Sequence, residues 1–64
     1  MTTSIQAKQA RPGQWIEYTN PRFNERIVST QWTRDGLILI RTDYGHGGEP
    51  ATHFFEANEP ISIA

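Results

Sequence analysis

The chain contains no cysteine. Disulfides and thiolate metal sites are therefore excluded as staples of the fold. Lysine occurs once, at Lys8, and no run of like charge occurs: six basic residues face seven acidic ones, a formal net charge of −1. A strongly basic nucleic-acid footprint is thus missing. The longest apolar run is Leu37-Ile-Leu-Ile40. That is the size of a strand and too short for a signal-peptide core or a membrane span. Asn-x-Ser/Thr acceptors are absent, and no segment carries a convincing helical period. These absences point to a cytoplasmic protein without a membrane partner.

Length narrows the reading further. A chain of 64 residues makes one domain and buries only ~60% of its unfolded surface. A deep pocket has no room beside so small a core, which argues against a self-contained enzyme. Apolar burial must supply the stability, unless a partner or a second copy adds surface.

What the chain does have is β-forming runs separated by turn signals. Met1 to Ala10 is polar, with Ile5 its one sizeable apolar group after Met1. It reads as a flexible tail over residues 1–10, or as an edge strand if Ile5 docks. Residues 11–64 then form a single β-barrel domain. Arg11-Pro-Gly13 is a turn signal, since proline presets φ and glycine permits positive φ. Gln14 to Thr19 follows as a strand, with Ile16 and Tyr18 on one face and Trp15 and Glu17 on the other. Asn20-Pro21 breaks it.

Arg26 to Thr33 and Leu37 to Thr42 flank Arg34-Asp-Gly36, the strongest hairpin signal in the chain. A two-residue loop would set Trp32 opposite Leu39. A three-residue loop with Gly36 in the left-handed region would set Trp32 opposite Ile38 and Thr30 opposite Ile40. The second register is preferred, because it gathers Val28, Thr30, Trp32, Ile38 and Ile40 on one mostly apolar face. Leu37 and Leu39 then share the other face, as a curled barrel or a self-association contact would require. Tyr44 to Pro50, with three glycines, reads as a loop, and Thr52 to Glu56 as a strand. Ala57 to Pro60 reads as a short helical or 3₁₀ turn, and Ile61 to Ile63 as a last strand. The expected core is Ile16, Tyr18, Val28, Trp32, Ile38, Ile40, Phe54, Ile61 and Ile63.

The fold class is therefore all-β: a small five-stranded barrel or a strongly curled antiparallel sheet. Gly13 before Trp15-Ile16, the hairpin at Asp35-Gly36, and Asn58-Glu-Pro60 before Ile61-Ser-Ile63 together resemble the SH3-like small barrels, over residues 12 to 63. The resemblance implies a binding module for protein or nucleic acid. The Ala-Leu-Tyr-Asp-Tyr run and Trp-Trp pair of signalling SH3 domains are lacking, so recognition of Pro-rich peptides is not carried over.

Four kinds of chemistry are open to the polar and aromatic residues. Asp43, His46, Glu49 and His53 carry metal-ligating groups, but their spacing matches no compact motif and the intervening glycines make them costly to order. No metal and no cofactor is expected. His46 with Asp43 could pair as base and orienter, yet nothing places Ser29 or Ser62 beside them, and no nucleophile elbow occurs. No catalytic residue is assigned. A binding surface of Trp15, Arg22, Phe23, Arg41, Tyr44 and His46 remains. Exposed aromatics beside arginines suit protein hot spots, and the near-neutral charge favours a protein partner. A small regulatory or inhibitory protein fits. Stacking of single-stranded DNA or RNA on the same aromatics is the alternative. Self-association through Leu37 and Leu39 is a further expectation.

Overall fold

The computed structural model describes residues 3–44 and 50–64, Tyr44 through its backbone. It is an all-β, antiparallel sheet of six strands: β1 (Thr3–Gln6), β2 (Trp15–Ile16), β3 (Glu25–Trp32), β4 (Leu37–Tyr44), β5 (Ala51–Glu56) and β6 (Pro60–Ile63). Their order across the sheet is β1-β6-β2-β3-β4-β5. The sheet is not closed, so β1 and β5 are its two edges.

The central hairpin follows its turn chemistry. Thr30 pairs with Ile40 and Trp32 with Ile38, the register of the three-residue loop. Gly36 holds φ +78. Thr33 donates its N–H to the Leu37 carbonyl at 2.9 Å, and Gly36 donates to the Thr33 carbonyl at 3.1 Å. A left-handed residue is needed at that position, and glycine adopts it without steric cost.

The sheet holds a sixth strand because the N-terminal segment is folded. Thr3–Gln6 pairs with Pro60–Ile63, setting Ile5 opposite Ile61, and Ile5 packs on the core. Docking of Ile5 was the condition under which this segment could be an edge strand rather than a tail. A 3₁₀ turn follows at Ala7–Gln9. The Ala7 and Lys8 N–H groups donate to the Glu59 and Ala57 carbonyls at 2.9 and 3.0 Å. Ala7 and Ala10 are thereby fully buried. A second 3₁₀ turn occupies Pro21–Phe23, with Pro21 at its start and the Asn20 side chain capping Arg22 N–H. Ala57 to Pro60, expected to be a short helical or 3₁₀ turn, is a simple turn closed by Glu59 N–H to the Glu56 carbonyl at 3.0 Å, and Pro60 opens β6.

The core is almost entirely isoleucine: Ile16, Ile27, Ile38, Ile40, Ile61 and Ile63, with Ala7 and Ala10. Each buried isoleucine contributes on the order of 1.5–3 kcal/mol. Four residues expected in this core are exposed: Tyr18, Val28, Trp32 and Phe54. Val28 falls at a bulge, where the β3–β4 register shifts between Ile27 and Ser29. The extra residue reverses the alternation, so Ile27 turns inward in its place. Trp32 shares the face of its partner Ile38, but it lies in the last pair before the loop and is 59% exposed. In β5, Ile40 pairs with His53 and Ile38 with Phe55. Phe55 therefore packs on the core and Phe54 points outward. Tyr18 sits at the rim, because its N–H leaves the sheet for the Asn24 side chain at 2.9 Å.

Candidate functional site

Two groupings of side chains could carry function: a polar cluster inside and an apolar face outside. Among the described residues, no concave pocket forms.

The inner cluster is built on Glu25. Its residue is 3% exposed, and a buried carboxylate requires partners. Pairing of Ile27 with Thr42 and of Ile40 with His53 puts Glu25, Thr42 and His53 on the inner face of three neighbouring strands. Thr42 Oγ1 donates to Glu25 Oε2 at 3.1 Å. His53 Nε2 lies 2.9 Å from Glu25 Oε1, and the Tyr18 hydroxyl donates to the same Oε1. Every buried side-chain polar atom among the described residues has a partner. The cluster ties the β2–β3 connection to β4 and β5. It holds no Ser, Thr or Cys nucleophile poised beside an imidazole, because the Thr42 hydroxyl is spent on the carboxylate. Sequence reasoning overlooked Glu25. The readable signal was a single acid opening a β-rich run, on the same side as Ile27.

The four candidate metal ligands do not come together where they are described. Asp43 lies on the outer face, bonded to Arg26, whereas His53 lies on the inner face with Glu25. His46 and Glu49 lie outside the described residues. No group of three or more His, Cys, Asp or Glu among the described residues could hold a metal ion.

The outer face carries the remaining chemistry. Leu39 lies between Gln31 on β3 and Phe54 on β5, and Leu37 follows two residues away on the same face. Both leucines are half-buried. Phe54 is 61% exposed, and Val28 adds exposed apolar surface at the bulge. Leucine and phenylalanine so placed form a directly paired apolar patch at the sheet's β5 edge. Further across the same face, Trp15 pairs with Arg26, and Arg26 with Asp43. Arg26 and Asp43 form a bidentate ion pair with a shortest distance of 2.8 Å. The hydrogen bond that Arg26 donates to Asp43, and then the Asp43 charge, raise the pKa of the Arg26 guanidinium above its ordinary value.

The expected binding-surface residues are spread over the outer face and the turn between β2 and β3. Trp15 and Arg41 share the outer face, Trp15 half-buried and Arg41 exposed. Arg22 and Phe23 lie on the 3₁₀ turn between β2 and β3, both exposed. Tyr44 ends β4 opposite Glu25; its side chain and all of His46 lie outside the described residues. Among the described residues, no helix is long and apolar enough to cross a membrane. No protein-family model matches the chain, and no curated protein or solved structure does so either.

Proposed function

We propose that this chain is a non-enzymatic binding module that engages a protein partner through the outer face beside β5. A small regulatory or inhibitory role fits that reading. The observation that carries it is Phe54, 61% exposed and paired with Leu39 on a sheet edge. An exposed aromatic flanked by aliphatic side chains is the composition of a protein hot spot. The short antiparallel strands and the Asp35-Gly36 hairpin support a likeness to the small SH3-like barrels, with β1 as an added strand. The Ala7 and Lys8 hydrogen bonds to Glu59 and Ala57 carry the β1–β6 pairing on into the β5–β6 turn.

A second reading, nucleic-acid binding, is favoured by one observation: Trp15 and Arg41 lie on the same face. Against it stand the net charge of −1 and the engagement of Arg26 by Asp43.

Selection from a displayed library of randomised extended peptides tests the protein-binding reading. Selected peptides are expected to shift the amide resonances of Leu37, Leu39, Thr52 and Phe54, and Phe54→Glu is expected to weaken them at least about tenfold. Peptides that map elsewhere would overturn it. So would salt-sensitive shifts at Trp15 and Arg41 with single-stranded oligonucleotides and none with peptides.

A further inference from the structure

The tip of the β3–β4 hairpin carries a reactive pair that the binding reading does not use. Five residues of the chain, Asn20, Asn24, Asp35, Asp43 and Asn58, have a side-chain carbonyl carbon that can close a five-membered imide onto the next main-chain nitrogen. Covalent connection holds the two atoms near one another, so the step is intramolecular.

The structure separates Asp35 from the other four. Asn20 precedes Pro21, which has no N–H to give up, and its side chain caps Arg22. Asn24 holds the Tyr18 N–H through Oδ1 at 2.9 Å and precedes the buried Glu25. Asp43 is gripped by two bonds from Arg26 within β4. Asn58 precedes Glu59, whose side chain crowds the nitrogen that would attack. Asp35 is exposed, and its carboxylate has no hydrogen bond or ion pair among the described residues. It precedes Gly36, which brings no Cβ to the attacking nitrogen, and the space where a Cβ would stand is empty to 4 Å.

We propose that Asp35-Gly36 is a site of spontaneous iso-aspartate formation, held back by the hairpin's own turn bond. The Gly36 nitrogen bonds to Asp35 Cγ. A Cγ–O bond breaks, and that oxygen leaves as water with the amide proton and one carboxyl proton. Water then re-enters the cyclic imide. Cleavage of the N–Cγ bond restores aspartate. Cleavage of the bond between that nitrogen and the Asp35 main-chain carbonyl carbon gives iso-aspartate, whose chain runs through Cβ and Cγ. Water is the only co-reactant, and no electrons change hands.

The turn restrains the first step. Gly36 N–H donates to the Thr33 carbonyl at 3.1 Å, and Thr33 N–H closes the loop on the Leu37 carbonyl at 2.9 Å. The nitrogen reacts only once its own bond has opened. Arg34, Asp35 and Gly36 are all exposed, and an exposed loop tip opens at far lower cost than buried strands. The folded chain therefore reacts, but slowly, at the pace of tip opening. The product adds one carbon to the main chain of a three-residue loop. Loop length sets hairpin register, and the pair closing this loop is Trp32 with Ile38, a core residue. A change at the exposed tip thus reaches the interior.

Ageing the intact chain at neutral pH, with and without denaturing urea, tests the proposal. Digestion with an endoproteinase that cuts before aspartate but not before iso-aspartate reads each site over time. Cleavage at Asp35 is expected to be lost while cleavage at Asp43 is retained, with the loss several-fold slower in the folded chain. Gly36→Ala is compared in urea, where neither chain is folded and only crowding at the nitrogen differs; its loss at Asp35 is expected to be slower still. The aged form, separated by reversed-phase chromatography and refolded, is expected to unfold at lower urea. Full cleavage at Asp35 after ageing of the folded chain, or parallel loss at Asp35 and Asp43, would overturn the site. Equal rates with and without urea would overturn the restraint by the turn, and an unchanged urea midpoint would overturn its reach into the core.

Discussion

Glu25 is the residue on which the interior depends most. Its carboxylate accepts from Tyr18 and Thr42 and meets His53, and Thr42 is the only other buried polar residue among the described residues. Removing one member of a buried charged network strands the others. Glu25→Ala is therefore expected to cost roughly 3–5 kcal/mol. Glu25→Gln, which keeps the shape, is expected to cost ~1–3 kcal/mol, and Tyr18→Phe ~1 kcal/mol. Urea denaturation of the three variants measures the ordering; equal losses would show that the network does not act through the carboxylate. Gly36 makes a contrasting case. A Cβ there meets nothing within 4 Å, yet φ is +78. Gly36→Ala should thus destabilise by ~1–2 kcal/mol through backbone conformation alone, read as a lowered denaturation midpoint with no change in slope.

At the scale of elements, burial rather than residue size should rank the strands' side chains. Ile40 is completely buried, whereas Trp32 is 59% exposed. Ile40→Ala is expected to cost ~2–5 kcal/mol, and Trp32→Ala clearly less, despite tryptophan's larger volume. Thermal melts of the two variants check this order. The N-terminal segment belongs to the same accounting. Deleting residues 1–10 removes β1, Ala7 and Ala10 from the core and leaves the β6 edge unpaired. Loss of cooperative unfolding is the expected result, visible as a broadened melt.

These elements also divide what could be read in the sequence from what could not. The hairpin register followed from Arg34-Asp-Gly36, because turn chemistry is local. Ile16, Ile38, Ile40, Ile61 and Ile63 were readable as core because strand alternation needs no partner. The choice between Phe54 and Phe55 was different. Adjacent strand residues point to opposite faces, and which one faces inward depends on pairing with Ile38 and Ile40. The exchange of Val28 for Ile27 depends on a bulge, and no glycine or proline marks it. Trp15 and Arg41 share a face but are separated by the Arg26–Asp43 pair, whereas the Glu25 cluster escaped notice: it joins residues 17 and 28 positions apart in the chain.

For the whole molecule, the decisive feature is an open sheet whose edge strand β5 carries exposed Phe54 opposite Leu39. Six isoleucines and two alanines form a small core, while Phe23, Val28, Trp32 and Phe54 stay substantially exposed. On the binding reading proposed above, a partner that covers this surface would add stability as well as specificity. The proposed site for such a partner is the outer face beside β5. Amide hydrogen exchange at Thr52 and Phe54 is the most direct measurement, with His53 and Phe55 as internal references whose N–H groups bond inward to β4. In the free chain Thr52 and Phe54 should exchange fast and their neighbours slowly. Adding a selected peptide should slow Thr52 and Phe54 and bring them toward His53 and Phe55. Exchange that stays fast at both residues with peptide bound would contradict the β5 edge as the binding surface.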